Sequence, residues 1–303
     1  MIVGIDIGGT TIKLGVVDEK GNILTASKFP TEEWTNPAEK LTELIQKECA
    51  RFQKEYSIEG VGIGVPGQIS ADKESILELT NIPSLNGFAL RSEIQKVLPK
   101  LKVVIENDAR CAAMGELQFG GHGFDSFVLM TLGTGVGGGV VINRHIFTGA
   151  SGNAGEIGMI PVGKGKYLEE YVGQRQIVQY ATDLLQDKLY LTSVLKQDKD
   201  LSVEKIYFAA TDFNDSCAKA VFKYAGTLIG EALLSIIHLY DVHNIVIGGG
   251  VGNAFDLIKP AADSVAAFLD CALCADKTKE GKFCAECLKS LRIHSGIPHL
   301  QNY

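Results

Sequence analysis

Asp6-Ile7-Gly8-Gly9-Thr10-Thr11 joins two mainly apolar runs of this 303-residue sequence through a turn of glycine and threonine. The runs are residues 1–7 and 12–18, and with the turn they predict a β-hairpin. A second unit of the same form has its first strand at 127–132, a glycine turn at 133–139 and a return strand at 140–142. Two such units predict an internal duplication of one α/β lobe.

The remaining pattern supplies the other strands and helices of two lobes. Buried strands are indicated at 60–65, 101–105 and 244–247, and helices at 37–56, 109–119 and over most of 168–240. A chain of this length exceeds the usual size of one hydrophobic core, so we expect two domains. We place the N-terminal α/β lobe at 1–117 and the C-terminal α/β lobe at 118–303, and the last helix could return to the first lobe.

The composition indicates an acidic globular protein, with 46% hydrophobic residues and a formal net charge of −7. Phosphate backbones attract basic surfaces, so we expect no nucleic-acid partner. The opening residues read as a strand and no run of about 18 apolar residues is apparent, so we expect no membrane association and a cytoplasmic location. The seven cysteines fit reduced thiols in that compartment. We also expect a homodimer.

The first glycine turn carries groups suited to binding phosphate. Gly8 and Gly9 let a ligand approach the backbone, while Thr10 and Thr11 add hydroxyls, and exposed N–H groups in such turns bind phosphate oxygens. Asp6, at the end of the strand, could hold a hydrated Mg²⁺ ion. The alternative is an ordinary hairpin with an Asx turn, which is the commoner use of Asp and Gly between strands.

The second glycine turn offers a cradle of the same kind. Gly133, Thr134 and Gly135 open a segment that holds five glycines between residues 133 and 139, more than a hairpin requires. A glycine-rich bulge is the alternative. Neither turn is a Walker loop, because no Gly-Lys-Ser/Thr follows, and neither opens a helix as a dinucleotide fingerprint does. The two turns together predict a site for nucleotide phosphates.

These turns and four further motifs resemble the ROK family of repressors and sugar kinases. The motifs occur in the family's order: Asp6-Ile7-Gly8-Gly9-Thr10-Thr11-Ile12-Lys13, Gly64-Val65-Pro66-Gly67, Glu106-Asn107-Asp108-Ala109, Leu132-Gly133-Thr134-Gly135-Val136-Gly137-Gly138-Gly139, Gly155-Glu156-Ile157-Gly158 and Ile247-Gly248-Gly249-Gly250-Val251. The resemblance implies a two-lobed actin-like ATPase (ribonuclease H-like) α/β fold, with mixed sheets flanked by helices. It also implies an ATP-dependent sugar kinase that uses Mg²⁺.

The resemblance further implies that Asp108 is the catalytic base. A carboxylate at this position takes the proton from the primary hydroxyl of the sugar, and phosphoryl transfer needs one such oriented base. Asn107 beside it would contact the sugar. The alternative role for this pair is to cap the helix that begins at Ala109, and the two roles are compatible.

Further site residues follow from the same resemblance. Glu156 and Glu169 correspond to carboxylates that bind sugar hydroxyls, Gly67 to a position along the sugar, and Gly249 with Gly250 to the loop on the adenosine side. Each has a plainer alternative. Glu156 could be a solvated loop acid, Glu169 a surface acid in the first turn of a helix, and the glycines ordinary turn residues.

The chain departs from the family pattern in two places. Met159 stands where many members have a histidine that contacts the sugar and supports a structural zinc site, and residues 162–167 lack the cysteines of that site. Two C-x-x-C pairs lie instead near the carboxyl end, at Cys271, Cys274, Cys284 and Cys287. They could bind zinc through four thiolates, or they could be small core residues of helices, and the sequence does not choose between these.

The sequence therefore predicts ATP-dependent phosphorylation of a hexose at its primary hydroxyl, with glucose to glucose 6-phosphate as the leading reaction. N-acetylmannosamine, N-acetylglucosamine and fructose are alternative substrates, because the thioether of Met159 cannot replace the hydrogen bonds of an imidazole. A non-catalytic, sugar-responsive regulator of the same family is the alternative of another class. It would need a DNA-binding helix-turn-helix before the kinase-like body, whereas the first predicted strand begins at Ile2.

Overall fold

A computed structural model describes residues 1–273 and 292–295, and the chain divides into two compact units. The first unit contains residues 1–123 and 146–154, and the second contains 124–145 and the described residues from 155 onward. The boundary predicted at residue 117 falls inside a helix, so the first unit extends to residue 123. No sequence pattern indicated the excursion at 146–154, because a short loop carries no periodic pattern.

The first unit is built on a five-stranded mixed sheet. Its elements are β1 (Ile2–Ile7), β2 (Thr11–Val17), β3 (Ile23–Pro30), α1 (Thr31–Thr35), α2 (Glu39–Phe52), β4 (Gly60–Val65), β5 (Gln68–Ile69), β6 (Ile76–Glu78), α3 (Leu90–Val97), β7 (Lys102–Asn107) and α4 (Asp108–Phe119). The strand order is β3-β2-β1-β4-β7, and β5 pairs with β6 in a separate ribbon. β1 runs antiparallel to β2 and parallel to β4, and β4 runs parallel to β7.

The three parallel strands bring the motif residues to one edge of this sheet. Asp6 on β1 lies opposite Gly64 on β4, and Gly64 lies opposite Glu106 on β7. The first glycine turn and Asp108 follow directly after β1 and β7 at this edge. In open α/β sheets ligands bind outside the carboxyl ends of the strands, so the sheet puts these residues where a ligand is expected.

The core of the first unit comes from alternate strand residues and one face of each long helix. Buried and less buried positions alternate along β1 and β2, as they do in a strand with one covered face. The helix predicted over 37–56 is confirmed as α2. Its apolar stripe, Leu41, Leu44, Ile45 and Phe52, is fully buried, which anchors the helix on the sheet.

The second unit repeats the plan of the first. Its elements are β8 (Phe127–Leu132), β9 (Val136–Ile142), β10 (His145–Ile146), β11 (Pro161–Val162), β12 (Lys166–Tyr167), α5 (Glu169–Val172), α6 (Gln174–Leu184), α7 (Val203–Asp212), α8 (Ser216–Tyr240), β13 (Asn244–Gly248), α9 (Phe255–Leu273) and β14 (Arg292–Ser295). The main sheet has the order β10-β9-β8-β13-β14. β8 is antiparallel to β9 and parallel to β13, and β13 is parallel to β14, so the predicted duplication is confirmed.

Helix α8 is the central helix of the second unit's core. Among the described residues it alone is long and apolar enough to cross a membrane by length and composition. Its sequence contains no unbroken apolar run of that length, because scattered polar residues interrupt the pattern. Of its most apolar 18-residue stretch, 67% is buried, as expected of a core helix in a globular domain.

Two glycines of α8 allow α9 to pack closely against it. A Cβ added to Gly226 would overlap the carbonyl oxygen of Ile258, and a Cβ added to Gly230 would lie 2.7 Å from the carbonyl oxygen of Ala262. The obstructing atoms belong to the backbone of α9, so a side chain on α8 could fit here only if the helices moved apart. Glycine at these positions is therefore a packing requirement of the second unit.

We predict that Gly226→Ala destabilises the protein by about 1–3 kcal/mol, the usual cost of overpacking a core. Alanine is better than glycine in a helix by about 1 kcal/mol, but this gain does not remove the overlap with the α9 backbone. Thermal unfolding followed by circular dichroism measures the effect. Gly62→Ala is the control, because an added Cβ there meets no atom within 4 Å. An equal melting temperature for the two variants would contradict the prediction.

Candidate active site

The first glycine turn is held in shape by a threonine that the sequence analysis did not single out. The N–H of Gly8 donates to the Thr11 carbonyl at 2.9 Å. Thr31, which is buried at the start of α1, donates its hydroxyl to the Gly8 carbonyl at 2.6 Å and its N–H to the Thr10 carbonyl at 3.0 Å. These bonds fix the turn. No local pattern marks Thr31, because it comes near the turn only through the pairing of β3 with β2.

Asp6 lies at the start of this turn, opposite Lys13 across the hairpin. Its carboxylate Oδ2 is 3.6 Å from Lys13 Nζ. Burial raises the pKa of Asp6, and the charge and hydrogen bond of Lys13 oppose that rise. A carboxylate at a strand end beside a glycine turn fits a Mg²⁺ ion that is held mainly by phosphates and water, since Mg²⁺ in phosphate sites takes only one or two protein carboxylates.

Asn107 joins β7, helix α4 and the loop after β4. Its side-chain oxygen accepts a hydrogen bond from the Arg110 N–H at 3.1 Å, which caps α4. Its side-chain nitrogen donates to the Gly67 carbonyl at 3.2 Å. The capping role considered from the sequence is therefore present, and the same amide ties the helix to the Pro66-Gly67 loop.

Gly67 is required by a close approach within this loop. It has φ of +81°, and a Cβ there would lie 2.5 Å from the carbonyl oxygen of Glu78. Gly64 lies beside the start of α4, where an added Cβ would meet Asp108 Cα at 3.6 Å, an ordinary contact distance, so packing does not require glycine at that position.

Asp108 is the first residue of α4 and has an exposed side chain. Its carboxylate oxygen Oδ1 accepts a hydrogen bond from the Ala109 N–H at 2.7 Å. One turn further, burial raises the pKa of the Cys111 thiol to about 12, and nearby carboxylates, Asp108 among them, add to this rise. Cys111 therefore stays a protonated thiol, and the role of Asp108 as the base stays a prediction.

Glu106, the residue before Asn107, is the centre of an ionic cluster that the sequence analysis missed. Lys73 Nζ lies 2.5 Å from its Oε2, while Arg110 Nη1 at 3.2 Å and the Asn107 N–H at 2.9 Å reach its Oε1. Burial would raise the pKa of Glu106, but the hydrogen bonds from Lys73 and Asn107 and the charges of Lys73 and Arg110 together hold the pKa below its usual value. Glu106 is thus an ionised anchor next to Asn107 and Asp108.

The second glycine turn is braced by the chain that begins α5 and α6. The N–H of Gly133 donates to the Gly135 carbonyl at 2.9 Å, and the Gln174 N–H donates to the Gly133 carbonyl at 2.9 Å. Glu169 Oε2 accepts a hydrogen bond from the Val136 N–H at 2.8 Å. A Cβ on Gly135 would overlap the Glu169 carboxylate, so a larger residue there would displace the Glu169 side chain. Glu169, predicted from the resemblance as a sugar ligand, is placed against the turn by this bond.

Glu156 follows a tight contact between its own loop and β9. Gly155 has φ of +94°, and a Cβ on it would lie 3.1 Å from the Gly138 carbonyl oxygen. A Cβ on Gly138 would overlap the Gly155 carbonyl in turn. The two glycines fix the backbone that leads to Glu156, whose side chain is exposed.

Gly249 and Gly250 lie where β13 ends beside β8. Gly249 has φ of +86°, and a Cβ there would overlap the Leu132 carbonyl oxygen. Gly250 is the N-cap residue of the short 3-10 helix Val251–Ala254, and a Cβ added to Gly250 meets no atom within 4 Å. Gly249 therefore serves the strand-to-helix turn considered from the sequence, whereas packing places no such demand on Gly250. A role of either in nucleotide binding stays a prediction.

The family model of the ROK family matches residues 2–281 of this sequence. This chain belongs to the ROK family.

Two relatives and one solved structure place the ROK match among sugar kinases. The chain is 34% identical over 275 residues to a glucokinase of Halalkalibacterium halodurans, a match that covers 85% of this chain and 83% of the relative. It is 29% identical to an N-acetyl-D-glucosamine kinase of Aliivibrio salmonicida, over 84% of this chain and 85% of the relative. It resembles the crystal structure of a ROK family glucokinase from Streptomyces griseus in complex with glucose and AMPPNP, with 27% identity, a TM-score of 0.75, and coverage of 97% of this chain and 94% of that one. The predicted actin-like ATPase fold is confirmed.

This ROK protein departs from its family's pattern after Glu156, as the sequence indicated. Met159 is half exposed, and the segment 162–167 lies within the β11–β12 hairpin, in whose turn the Gly163 N–H donates to Glu231 Oε2 at 2.7 Å. Among residues 1–273 and 292–295 no group of three or more His, Cys, Asp or Glu side chains could hold a metal ion.

The zinc hypothesis at the two C-x-x-C pairs stays a prediction. Cys274, Cys284 and Cys287 lie outside the described residues, and Cys271 lies in α9, where only the backbone is described at that position.

We predict that Asn107→Ala costs more stability than loss of an ordinary helix cap. Cap removal costs about 0.5–2 kcal/mol, and this variant also frees the Gly67 carbonyl. Ser202→Ala is the matched control, because Ser202 caps α7 through the Lys205 N–H at 3.2 Å. Melting temperatures measure both effects, and a larger fall for Ser202→Ala would contradict the prediction.

Proposed function

We propose that this protein phosphorylates a hexose at its primary hydroxyl with ATP, and that glucose is its leading substrate. The observation that carries the proposal is the place of Asp108, which begins α4 with an exposed carboxylate at the sheet edge where Asp6 and the first glycine turn also lie. A proton acceptor and a phosphate-binding turn at one edge are the parts that phosphoryl transfer requires.

In the proposed reaction Asp108 accepts the proton of the primary hydroxyl as the hydroxyl oxygen bonds to the γ-phosphorus. The bond between that phosphorus and the β,γ-bridging oxygen breaks, and ADP leaves. Asp6 would hold Mg²⁺, which supplies neutralisation of phosphate charge when bound. The Thr31 bonds to the first glycine turn keep its shape fixed, so no rearrangement of the turn is needed when charge shifts along the phosphates.

We assign the sugar to Asn107, Glu156, Glu169 and the backbone at Gly67. Carboxylates and a side-chain amide provide the directional acceptors and donors that orient several hydroxyls at once. The side chain of Glu156 is exposed, and the close approach of Gly138 and Gly155 fixes the backbone that leads to it.

We assign the nucleotide phosphates to Gly8, Gly9, Thr10 and Thr11 in the first unit and to Gly133, Thr134 and Gly135 in the second. Gly249 and Gly250 are assigned to the adenosine. The structural duplication supports this assignment, because the two glycine turns occupy equivalent places after β1 and β8. The relative solved with glucose and AMPPNP supports the pairing of a hexose with an ATP analogue.

Two kinds of hexose kinase among the relatives bear on the choice of sugar. Glucokinases and N-acetyl-D-glucosamine kinases both occur among the relatives, so N-acetylated hexoses and fructose stay alternatives. Met159 in place of the family histidine removes one hydrogen-bonding partner. Cys49, Cys111 and Cys217 are free thiols, which supports the proposed cytoplasmic location, and a homodimer stays a prediction.

A coupled assay of ADP release over a panel of hexoses tests the proposal. We expect ADP release that depends on sugar and is fastest with glucose, with N-acetylmannosamine, N-acetylglucosamine and fructose as the comparison sugars. Phosphorus NMR of the product then shows whether the primary hydroxyl is modified. Sugar binding by calorimetry without any sugar-dependent ADP release would contradict the kinase and favour the sugar-responsive regulator.

In the same assay Asp108→Asn is expected to abolish turnover and to leave glucose binding largely intact. The amide keeps the size of the side chain but cannot accept the proton. Asp72→Asn is the control, because Asp72 is an exposed acid in the turn between β5 and β6. A kcat of Asp108→Asn near that of the wild type would remove Asp108 from the role of base.

The bond between Glu169 and Val136 generates a further prediction. Glu169→Ala should raise the KM for ATP about tenfold or more, because a hydrogen bond to a charged group that shapes the second glycine turn is lost. Glu169→Gln keeps an acceptor for the Val136 N–H and should change the KM for ATP much less. A rise in the KM for glucose in both variants would support the sugar role of Glu169, because an amide oxygen accepts more weakly than a carboxylate.

Glu170→Ala is the matched control for Glu169, since Glu170 also accepts a bond from a backbone N–H, that of Tyr167 at 3.0 Å. We expect wild-type KM values for both substrates in this variant. An unchanged KM for ATP in Glu169→Ala would contradict the bracing role.

A further inference from the structure

Arg110 is a buried cation in the first turn of α4, two residues after Asp108. Its side chain is 4% exposed, which is unusual for an arginine and requires that its N–H groups find partners inside the unit. The resemblance to the family does not include this residue, and no sequence pattern distinguished it from a solvated helix arginine. Its contacts therefore show what it does.

The two ends of the guanidinium contact two different segments of the first unit. Nη1 lies 3.2 Å from Glu106 Oε1, in the residue that precedes Asn107. Nη2 donates to the carbonyl of Ala154 at 2.9 Å. One planar group thus joins the end of β7 to the last residue of the excursion 146–154, a task for which the fork of arginine is suited and the single ammonium of lysine is not.

The segment that Arg110 holds is a closed loop. The Ala154 N–H donates to the Thr148 carbonyl at 3.0 Å, so the loop between them is shut by a backbone hydrogen bond. Gly152 has φ of +85°, and a Cβ there would come within 3.5 Å of Ala71 Cα. Ala71 lies in the turn that carries Lys73, the other cation on Glu106. Glu106 and its two cations therefore fasten this loop and that turn to the end of β7.

The loop leads directly into a proposed sugar ligand. After Ala154 the chain leaves the first unit at Gly155, and Glu156 is the next residue. Immediately before Glu156, the positive φ of Gly155 and its close approach to Gly138 fix the backbone. One residue earlier, the Ala154 carbonyl accepts a hydrogen bond from Arg110.

We propose that Arg110 is a positioning residue for sugar binding: it holds the Ala154 carbonyl and Glu106 together, and so sets both Asn107-Asp108 and the entry to Glu156. The assignment of these residues to the sugar rests on the proposed hexose kinase function. Arg110 does not itself touch the sugar or the phosphates. It acts on affinity for the sugar, and its loss leaves the two glycine turns as they are.

Hydrogen exchange measured by mass spectrometry tests the positioning without any need for activity. In Arg110→Gln the Ala154 amide, in the peptide 146–156, should exchange about ten- to a hundredfold faster than in the wild type, the range expected for the loss of a hydrogen bond to a charged group. Arg51→Gln is the matched control. Arg51 also pairs with a buried glutamate, Glu48, at 2.8 Å, yet it lies at the end of α2 and contacts neither the loop nor β7 through that pair.

Steady-state kinetics tests the consequence for the substrate. In Arg110→Gln we expect the KM for glucose to rise about ten- to a hundredfold while the KM for ATP stays within about twofold, and in Arg51→Gln we expect neither to change. Arg110→Lys separates positioning from simple stability. A lysine can keep the ion pair with Glu106, so it should restore the melting temperature, but it should not restore the KM for glucose or the slow exchange of 146–156.

Either of two results would overturn the positioning role. The first is wild-type exchange of 146–156 in both Arg110 variants, and the second is an equal rise in the KM for glucose and for ATP. If Arg110→Gln does not fold, Arg110→Lys decides by the same two measurements. If the wild type shows no sugar-dependent ADP release, the proposed function fails, while the exchange experiment still shows whether Arg110 holds the loop.

Discussion

The side-chain amide of Asn107 makes the two hydrogen bonds on which the edge of the first unit depends. One starts α4 immediately after β7, and the other fixes the Pro66-Gly67 loop against that start. A strand that turns into a helix within one residue leaves backbone N–H groups without helical partners, and the cap satisfies one of them. The same short connection places Asp108 at the sheet edge with an exposed side chain. The position of this proposed proton acceptor is thus a consequence of the way the helix begins.

The glycines of the sequence motifs meet two separate physical requirements. Gly67 and Gly249 have positive φ and stand against backbone carbonyls, so the fold needs them whether or not a ligand binds. Gly133 and Gly250 have open space where a Cβ would lie, so packing does not explain them. An uncrowded glycine beside a strand end is what a close ligand would require. Within one motif, therefore, the structural glycines and the candidates for ligand contact can be told apart.

Much of the fold was predictable because its signals are local or repeated. The duplicated strand, turn and strand units and the helix after Asn107 follow from periodicity and turn chemistry, and the structure confirms them. Thr31 and Arg110 could not be found in this way. Their partners lie 23 and 44 residues away in sequence, and the contacts exist only once the sheet and the 146–154 loop are in place. Local pattern places elements, whereas the side chains that brace a site depend on the tertiary path.

Side chains of the second unit hold the turn of the β11–β12 hairpin, which follows Glu156 in the chain. The Gly163 N–H is held by Glu231 on α8, and the Lys164 N–H reaches the Tyr171 hydroxyl at 3.3 Å. Both partners come from helices of the second unit, so the position of this hairpin follows the packing of its core. Met159 precedes the hairpin with a half-exposed thioether, which is a weak acceptor and no donor. Under the proposed function, discrimination among hexoses would rest on Glu156, Glu169 and the backbone that positions them. Arg110, proposed to fix this backbone without contacting the sugar, would then influence the selectivity of the site.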